Sequence, residues 1–189
     1  MKLLVAYASQ HGSTREIAER IAERLRAAGH EADARSVTEA RYVDAYEGFV
    51  VGSAVYIGHW QKEAVEFVLR YGDILRMRPT WLFSSGPLRI GDVGADGGDP
   101  RAAAERQEIA MLRDAARLHE VVRPIEHRAF FGALRPDRLS LAQKLLRATP
   151  AGRALMPEGD FRDWADIEAW AEGIARQLSR MPAPVGAGI

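Results

Sequence analysis

The chain has 189 residues, of which 47% are hydrophobic and 28% charged, and its 26 basic residues balance 26 acidic ones. This is the composition of a globular domain large enough to bury a core, and the balanced charge argues against nucleic-acid binding. The absence of cysteine excludes disulfides, thiolate nucleophiles, iron–sulfur clusters and cysteine-based zinc sites. The apolar run at residues 3–8 is too short for a signal peptide, and no segment reaches the ~20 apolar residues that span a bilayer, so we expect a cytoplasmic location.

The first predicted unit is a strand, a polar loop and a helix. Residues 2–8 form a nearly continuous apolar run, which is typical of a strand buried on both faces of a parallel sheet. A helix is predicted over residues 14–28, with Gly29 at its end. Its apolar positions fall on one face: Ile17, Ala18, Ile21, Ala22 and Leu25.

The rest of the chain continues this alternation. Further strands are predicted at residues 31–37, 48–53, 80–84 and 125–133. Further helices are predicted at residues 62–71, 101–120 and 163–179. Strands that alternate with helices predict an α/β fold, a doubly wound sheet of five parallel strands with helices on both faces. We expect one domain over residues 1–180, with an insertion at 135–160 before the last helix and a disordered tail at 181–189.

The loop after the first strand is the first place to look for a ligand, because ligands of doubly wound sheets sit beyond the carboxyl ends of the strands. It lacks the lysine of an NTPase loop, the glycine spacing of a dinucleotide fold and the acidic residues of a magnesium-binding receiver. What it offers is hydroxyl groups, one glycine and a helix N-terminus, which suit a phosphate monoester. A plain helix cap without a ligand stays open as the alternative. The loop residues are Ser9, Gln10, His11, Gly12, Ser13 and Thr14.

This loop, placed after a short apolar strand, resembles the FMN phosphate loop of flavodoxins, and the resemblance extends along nearly the whole chain. It implies that FMN is the cofactor and that the first loop holds its phosphate. In flavodoxins the loops after the third and fourth main strands sandwich the flavin ring, and here these loops are residues 54–60 and 85–100. The resemblance therefore implies further cofactor contacts from Ala54, Val55, Tyr56, Ile57, Gly58, Trp60, Ser85, Gly86 and Pro87.

A narrower resemblance rests on three short segments: G-S-A-V-Y-I-G-H-W from residue 52, F-F-G-A-L-R from residue 130 and F-R-D-W from residue 161. In order and spacing they are similar to the menaquinone-dependent protoporphyrinogen oxidase group, whose members are flavodoxin-like with an insertion before the final helix. The resemblance implies an FMN-dependent oxidoreductase that passes electrons from a reduced, porphyrinogen-like donor to a quinone. Three alternatives stay open: an electron carrier between protein partners, an NAD(P)H-dependent quinone reductase, and a binding module without flavin.

Individual aromatic and histidine side chains carry competing interpretations. Tyr56 is the first candidate for stacking on the flavin ring and Trp60 the second, with a core position as its equal alternative. His59 is the catalytic candidate, as a hydrogen-bond or proton donor near the flavin, against the alternative of a solvated loop histidine. His11 is expected at the rim of the phosphate loop. No metal site is predicted, because the remaining histidines lack ligand spacing: His30, His119 and His127.

The predicted insertion is basic and rich in leucine. Residues 135–155 carry five basic side chains and five leucines against a single acid, Asp137. A short basic amphipathic helix would lie on an anionic membrane surface, where a quinone is accessible. The alternative is that the leucines pack on the domain and the cations form a solvated face. The expected partners are a quinone or a redox partner protein, with peripheral contact at the inner face of the membrane.

Overall fold

The computed structural model describes residues 1–56, 58–86, 109, 112–134, 145, 148–149 and 158–181. Its strands are β1 (Lys2–Ala8), β2 (Glu31–Ser36), β3 (Gly48–Tyr56), β4 (His59–Trp60), β5 (Thr80–Gly86), β6 (Glu126–Phe131), β7 (Ala133–Leu134) and β8 (Gly159–Asp160). Its helices are α1 (Ser13–Ala27), α2 (Lys62–Met77), α3 (Ala115–Val122) and α4 (Trp164–Arg180), with a single 3-10 turn at Val43–Ala45. Most of the insertion, the tail beyond residue 181 and residues 87–100 of the second predicted ring loop lie outside the described residues.

The main sheet contains five parallel strands in the order β2-β1-β3-β5-β6, and the short β4 pairs antiparallel with the end of β3. The predicted doubly wound parallel sheet is therefore confirmed. The chain leaves β1 for β2 on one side and then crosses to β3 on the other, so the strand order reverses between β1 and β3. In open α/β sheets the crevice for ligands lies at this reversal, beyond the carboxyl ends of the strands, a region called the carboxyl edge below.

Helices cover both faces of the sheet. Neighbouring side chains on a strand point to opposite faces, so each strand contributes to a separate core cluster on each side. Leu4 and Leu82 face a core cluster completed by residues of α2 and α3. Leu3 and Trp81 face a second cluster completed by α1 and α4. Both faces of the strands are therefore buried, which explains why the strands read as continuous apolar runs rather than as alternating patterns.

The helix predicted over residues 62–71 is longer in the structure, where α2 continues to Met77. The predicted bound at Tyr71, one residue before Gly72, was therefore wrong. A Cβ atom on Gly72 would lie 2.6 Å from Cγ1 of Val121 in α3, so the glycine permits close packing of the two helices. A glycine that permits close packing cannot be distinguished from a helix terminator by local sequence alone.

Two other predicted elements are interrupted. The helix predicted over residues 101–120 is not continuous, because residues 112–114 form a turn and α3 begins only at Ala115. Arg113 N donates to Gly58 O at 2.9 Å, a bond to the turn after β3 in place of one within a helix. The strand predicted over residues 125–133 ends at Phe131, because Gly132 N donates to Gly86 O at 3.1 Å and the chain then turns to pair β7 with β8.

Candidate cofactor site at the carboxyl edge

The first loop leads from β1 into the positive end of α1. Gly12 has a φ of 89°, a left-handed conformation that glycine adopts without strain. The helix starts at Ser13 with no side-chain cap, and its first intrahelical bond runs from Glu16 N to Gly12 O at 3.0 Å. The N–H groups that precede Glu16 point out of the helix end, where the helix dipole is positive. This end of α1 therefore suits an anion.

Backbone donors orient the hydroxyl groups of the first loop. Ser9 Oγ accepts a hydrogen bond from Gly12 N at 3.0 Å, and Ser13 Oγ accepts one from Ala133 N at 2.8 Å. A serine that accepts from an N–H group keeps its own hydrogen for donation, so both hydroxyls remain donors for an anion. Thr14 is buried at 1% exposure inside α1, and the capping position belongs to Gly12. Gln10 lies exposed on the loop.

The first loop meets the turn after β3 through two aromatic rings. The ring centroids of His11 and Tyr56 lie 6.3 Å apart in an edge-on arrangement. Tyr56 ends β3 with 38% of its surface exposed, and its partial burial raises the pKa of its phenol. The structure thus brings together two segments that are separated by more than forty residues in the sequence, at the reversal of the strand order.

The predicted ring loop at residues 54–60 is a tight hairpin, which corrects the sequence prediction. Ala54, Val55 and Tyr56 extend β3, and Val55 pairs with Trp60 while Tyr56 pairs with His59 on β4. Gly58 takes a φ of 77° in the turn between them, and Ile57 lies outside the described residues. Pairing with β4 satisfies backbone groups that a loop would leave to solvent, and it fixes the position of the Tyr56 ring.

Asp114, which precedes α3, anchors this hairpin. Its Oδ2 accepts from Trp60 N at 3.1 Å and lies 3.1 Å from Nδ1 of His59. The His59 side chain is 46% exposed. Trp60, in contrast, is 3% exposed, and its Nε1 donates to Ser84 Oγ at 2.8 Å. The structure therefore places the Trp60 ring in the core below the hairpin and His59 at its surface.

The last residues of β5 and the residue after β6 also lie at the carboxyl edge. Ser85 and Gly86, predicted to begin a loop, form the end of β5, while Pro87 lies outside the described residues. A Cβ atom on Gly132 would lie 3.5 Å from Ser85 Oγ and 3.6 Å from Ser13 Oγ. The first loop, the end of β5 and the segment after β6 therefore converge on one place at this edge.

Two polar residues at this edge escaped the sequence analysis. Gln61 N donates to Ser53 Oγ at 2.9 Å, which places Gln61 beside the last residues of β3. Its side-chain Nε2 is buried and has no hydrogen-bond partner within the part of the chain that the structure describes. Asp114 also went unnoticed, because its contact with the hairpin depends on the packing of α3. No local pattern marks either residue.

Comparison with known proteins places the chain in a family. Residues 4–149 match the flavodoxin domain family, and the chain belongs to it. Protoporphyrinogen IX dehydrogenase (quinone) of Escherichia coli strain K12 is 31% identical over 86 residues, which cover 44% of this chain and 48% of that protein. The match thus spans about half the length of this curated relative.

Solved structures of low sequence identity share the fold. A flavodoxin from Streptococcus pneumonia TIGR4 has a TM-score of 0.56 at 17% identity, and the match covers 94% of this chain and 99% of that chain. The rubredoxin oxygen:oxidoreductase from Desulfovibrio gigas has a TM-score of 0.57 at 13% identity, with 94% of this chain and 36% of that chain covered. These similarities confirm the flavodoxin-like fold.

Proposed function

We propose that this chain binds FMN at the carboxyl edge and passes electrons between a reduced donor and a quinone. The observation that carries the proposal is the convergence of the first loop with the Tyr56 hairpin, where the His11 and Tyr56 rings lie 6.3 Å apart. An anion site on the first loop and an aromatic side chain on the adjacent hairpin suit the phosphate end and the ring end of a flavin nucleotide. FMN supplies the redox chemistry when bound, and the protein supplies binding, orientation and access.

The phosphate end of FMN fits the first loop. The left-handed Gly12 turns the backbone so that the N–H groups at the start of α1 face the ligand. Ser9 and Ser13 each accept a backbone hydrogen bond and so present their hydroxyl hydrogens as donors. Donors of this kind hold a phosphate without a lysine, because the positive end of the helix dipole supplies the charge.

The ring end of FMN fits the hairpin and the end of β5. Tyr56 offers a partly exposed aromatic face, and a planar ring gains from stacking on it. Gly86 lies against Val55, since a Cβ atom there would be 3.4 Å from Val55 Cβ, so the backbone approaches without a side chain in between. Nε2 of Gln61, which has no partner among the described residues, is a buried donor near the same edge that a polar atom of a ligand would satisfy.

His59 is the residue that we assign to proton handling. Its Nδ1 faces Asp114, so its Nε2 is the ring atom left to hold or release a proton at the partly exposed edge of the site. Asp114 fixes the orientation of the ring in the way that a carboxylate orients a catalytic histidine. A two-electron transfer to a quinone requires protons, which gives this position a chemical role.

The choice of substrates rests on the curated relative, whose name specifies protoporphyrinogen IX and a quinone. We extend the quinone to this chain as acceptor and a porphyrinogen-like compound as donor. The proposal also includes a cytoplasmic location with peripheral contact at the membrane through residues 135–155, which lie almost wholly outside the described residues. Within the described ranges, no helix is both long and apolar enough to cross a bilayer.

The test is a turnover assay on the FMN-loaded chain under anaerobic conditions. Protoporphyrinogen is supplied as donor and a water-soluble naphthoquinone as acceptor, and quinol formation is followed by absorbance. We expect many turnovers per protein, and His59→Gln should lower the rate by about 100-fold if His59 handles the proton. His30→Gln, which lies before β2 at the opposite edge of the sheet, is the matched control.

The other outcomes point to defined alternatives. Reduction of a protein partner, without quinone turnover, would support a flavodoxin-type carrier. A chain that does not retain FMN would support a flavodoxin-like binding module. Turnover that depends on NADPH rather than on a porphyrinogen would support an NAD(P)H-dependent quinone reductase.

A further inference from the structure

A chain of buried and partly buried hydrogen bonds runs from the hairpin to the outer helix α3. Trp60 Nε1 donates to Ser84 Oγ at 2.8 Å, and Ser84 Oγ lies 2.9 Å from Nε2 of His127. Nδ1 of His127 lies 2.8 Å from Nε2 of His119. The four residues come from β4, β5, β6 and α3, and Trp60 and Ser84 are almost fully buried. We call them the relay.

The chemistry of the four side chains favours one direction of hydrogen-bond donation along the relay, from Trp60 at the inner end to His119 at the outer end. An indole N–H can only donate, and a hydroxyl has one hydrogen and two acceptor sites. If Ser84 donates to Nε2 of His127, then His127 carries its hydrogen on Nδ1 and donates it to Nε2 of His119. Each of the three contacts is then a hydrogen bond, and His119 keeps its own hydrogen on Nδ1.

The opposite direction leaves one buried donor unsatisfied. In that arrangement Nε2 of His119 donates to His127, and His127 donates to Ser84. Ser84 then accepts from both Trp60 and His127, and the hydrogen of its own hydroxyl has no acceptor among the contacts of the described residues. Because Ser84 is 1% exposed, water does not compensate for this loss. The first direction is therefore the stable one for two neutral histidines.

A proton reaches the relay through His119. His119 lies partly buried at the outer end of the relay. Burial and the neighbouring His119 lower the pKa of His127 to about 3, so His127 resists protonation. Burial also lowers the pKa of His119. A protonated His119 must donate from Nε2 to His127, which forces the relay into its opposite, less satisfied direction. Protonation at the outer end is thus transmitted to Ser84 and Trp60 at the inner end.

The surrounding charges leave this coupling intact. On β6, Glu126 and Arg128 point to the other face of the sheet, where they bond Trp170 and Asp166 of α4. The charged residues of α3 and of its C-cap are exposed to solvent: Arg117, Glu120 and Arg123.

The neighbouring elements add only a few titratable groups among the described residues. From α2, Tyr71 is the titratable side chain that packs into this core. At the hairpin, His59 and Asp114 pair with each other. Described residues of β5 carry no charge.

We propose that His119 and His127 are positioning residues for the hairpin. A proton on His119 reverses the direction of hydrogen-bond donation in the relay and weakens the contact that holds the Trp60 ring on Ser84. The physical route is short, because α3 already holds the hairpin through Asp114, and Trp60 pairs with Val55 just before Tyr56. The consequence for a bound flavin rests on the function proposed above, since Tyr56 is its stacking candidate. The relay itself is a property of the chain without flavin.

The test is nuclear magnetic resonance on the 15N-labelled full chain without flavin. Long-range 1H–15N spectra report which ring nitrogen of each histidine carries hydrogen, and Trp60→Phe assigns the indole signal among the four tryptophans. At pH 8 we expect His119 and His127 both with hydrogen on Nδ1. As the pH falls and His119 takes up its proton, His127 should move its hydrogen to Nε2, and the Trp60 indole signal should shift with the same midpoint.

Variants separate the relay from a general effect of acid. His119→Gln should abolish the pH-dependent shift of the Trp60 indole, whereas His30→Gln at the opposite edge should leave it unchanged. A hydrogen on Nε2 of His127 at pH 8, or an indole signal that ignores the titration of His119, would overturn the proposal. FMN titrated into the same sample gives an independent result, so a failure to bind flavin would count against the proposed function and not against the relay.

Discussion

Gly52 of β3 lies directly under the ring of Phe83 on the adjacent strand β5, with which it is in register. An ideal Cβ atom at position 52 would lie 2.0 Å from Cζ and 2.1 Å from Cε1 of Phe83. Non-bonded carbon atoms prefer about 3.5–4.0 Å, so the ring would have to move by about 1.5 Å. Phe83 is fully buried and packs with Phe130 and Trp170, whose ring centroids lie 6.2 Å and 6.3 Å away, so a displaced ring would disturb other core side chains.

We therefore expect Gly52→Ala to lower the free energy of unfolding by about 3 kcal/mol or more, which is the upper range for an overpacked core. For a chain of this size the melting temperature should fall by roughly 6–12 °C. Urea unfolding followed by circular dichroism measures both the loss and the cooperativity of the transition. A loss below about 0.5 kcal/mol would refute the packing described here.

Two further variants test the cause of that loss. Among the described residues, a Cβ atom from Gly173→Ala in α4 would meet only Arg176 Nη2, at 3.9 Å, so the helix should gain about 1 kcal/mol. Phe83→Leu removes the ring that Gly52→Ala would strike. The double variant should therefore lose less stability than the sum of the two single losses. Additive losses would show that Phe83 is not the obstacle.

Three other perturbations have defined outcomes. His127 has a pKa lowered from 6.5 to about 3, so the unfolded chain binds its proton first and stability falls as the pH drops through that window. The free energy of unfolding changes by at most about 1.4 kcal/mol per pH unit through this group. Urea titrations at pH 7 and pH 4 should show a smaller loss of stability for His127→Gln than for the unchanged chain, and equal losses would contradict this. The Arg162 side chain is 2% exposed and bonds Glu16, itself 27% exposed, at 2.6 Å, so Arg162→Leu should cost about 1–3 kcal/mol in urea unfolding, and a cost below about 0.5 kcal/mol would contradict the pair. Asp163 caps α4 by accepting from Asp166 N at 3.1 Å, so Asp163→Ala should cost about 1 kcal/mol in thermal unfolding, and an unchanged melting temperature would contradict the cap.

The repeating elements were predictable because their signals are local. The run Lys2–Ala8 and the apolar face of α1 identified a buried strand and an amphipathic helix, and both occur within one residue of the predicted bounds. The alternation of such units predicted the parallel sheet, because parallel strands need a crossover connection and that connection is usually a helix. The first loop could be proposed as an anion site because its hydroxyl groups and glycine are contiguous in the sequence, and its binding of a phosphate stays a prediction.

The relay and the hairpin anchor were not predictable, because both depend on contacts between distant segments. His119 and His127 lack ligand spacing, and only the packing of α3 on β6 brings their ring nitrogens to 2.8 Å. The aromatic character of Trp60 favoured stacking and a core position equally, and its bond to Ser84 exists only in the folded sheet. Asp114 gave no signal, because its partners Trp60 and His59 lie more than fifty residues earlier.

The central claim is that the first loop holds the phosphate of FMN, and equilibrium binding tests it most directly. FMN and riboflavin, which lacks the phosphate, are titrated into the flavin-free chain while the quenching of flavin fluorescence is recorded. Ser13→Ala removes a donor of the first loop, and Ser179→Ala near the end of α4 is its matched control.

The account predicts one FMN per chain and riboflavin bound at least ~10-fold more weakly, which corresponds to about 1.4 kcal/mol. Ser13→Ala should weaken FMN by about 10-fold or more and leave riboflavin unchanged, because a hydrogen bond to a charged group contributes about 1.5–3 kcal/mol. Equal affinity for FMN and riboflavin, or no binding of either, would contradict it.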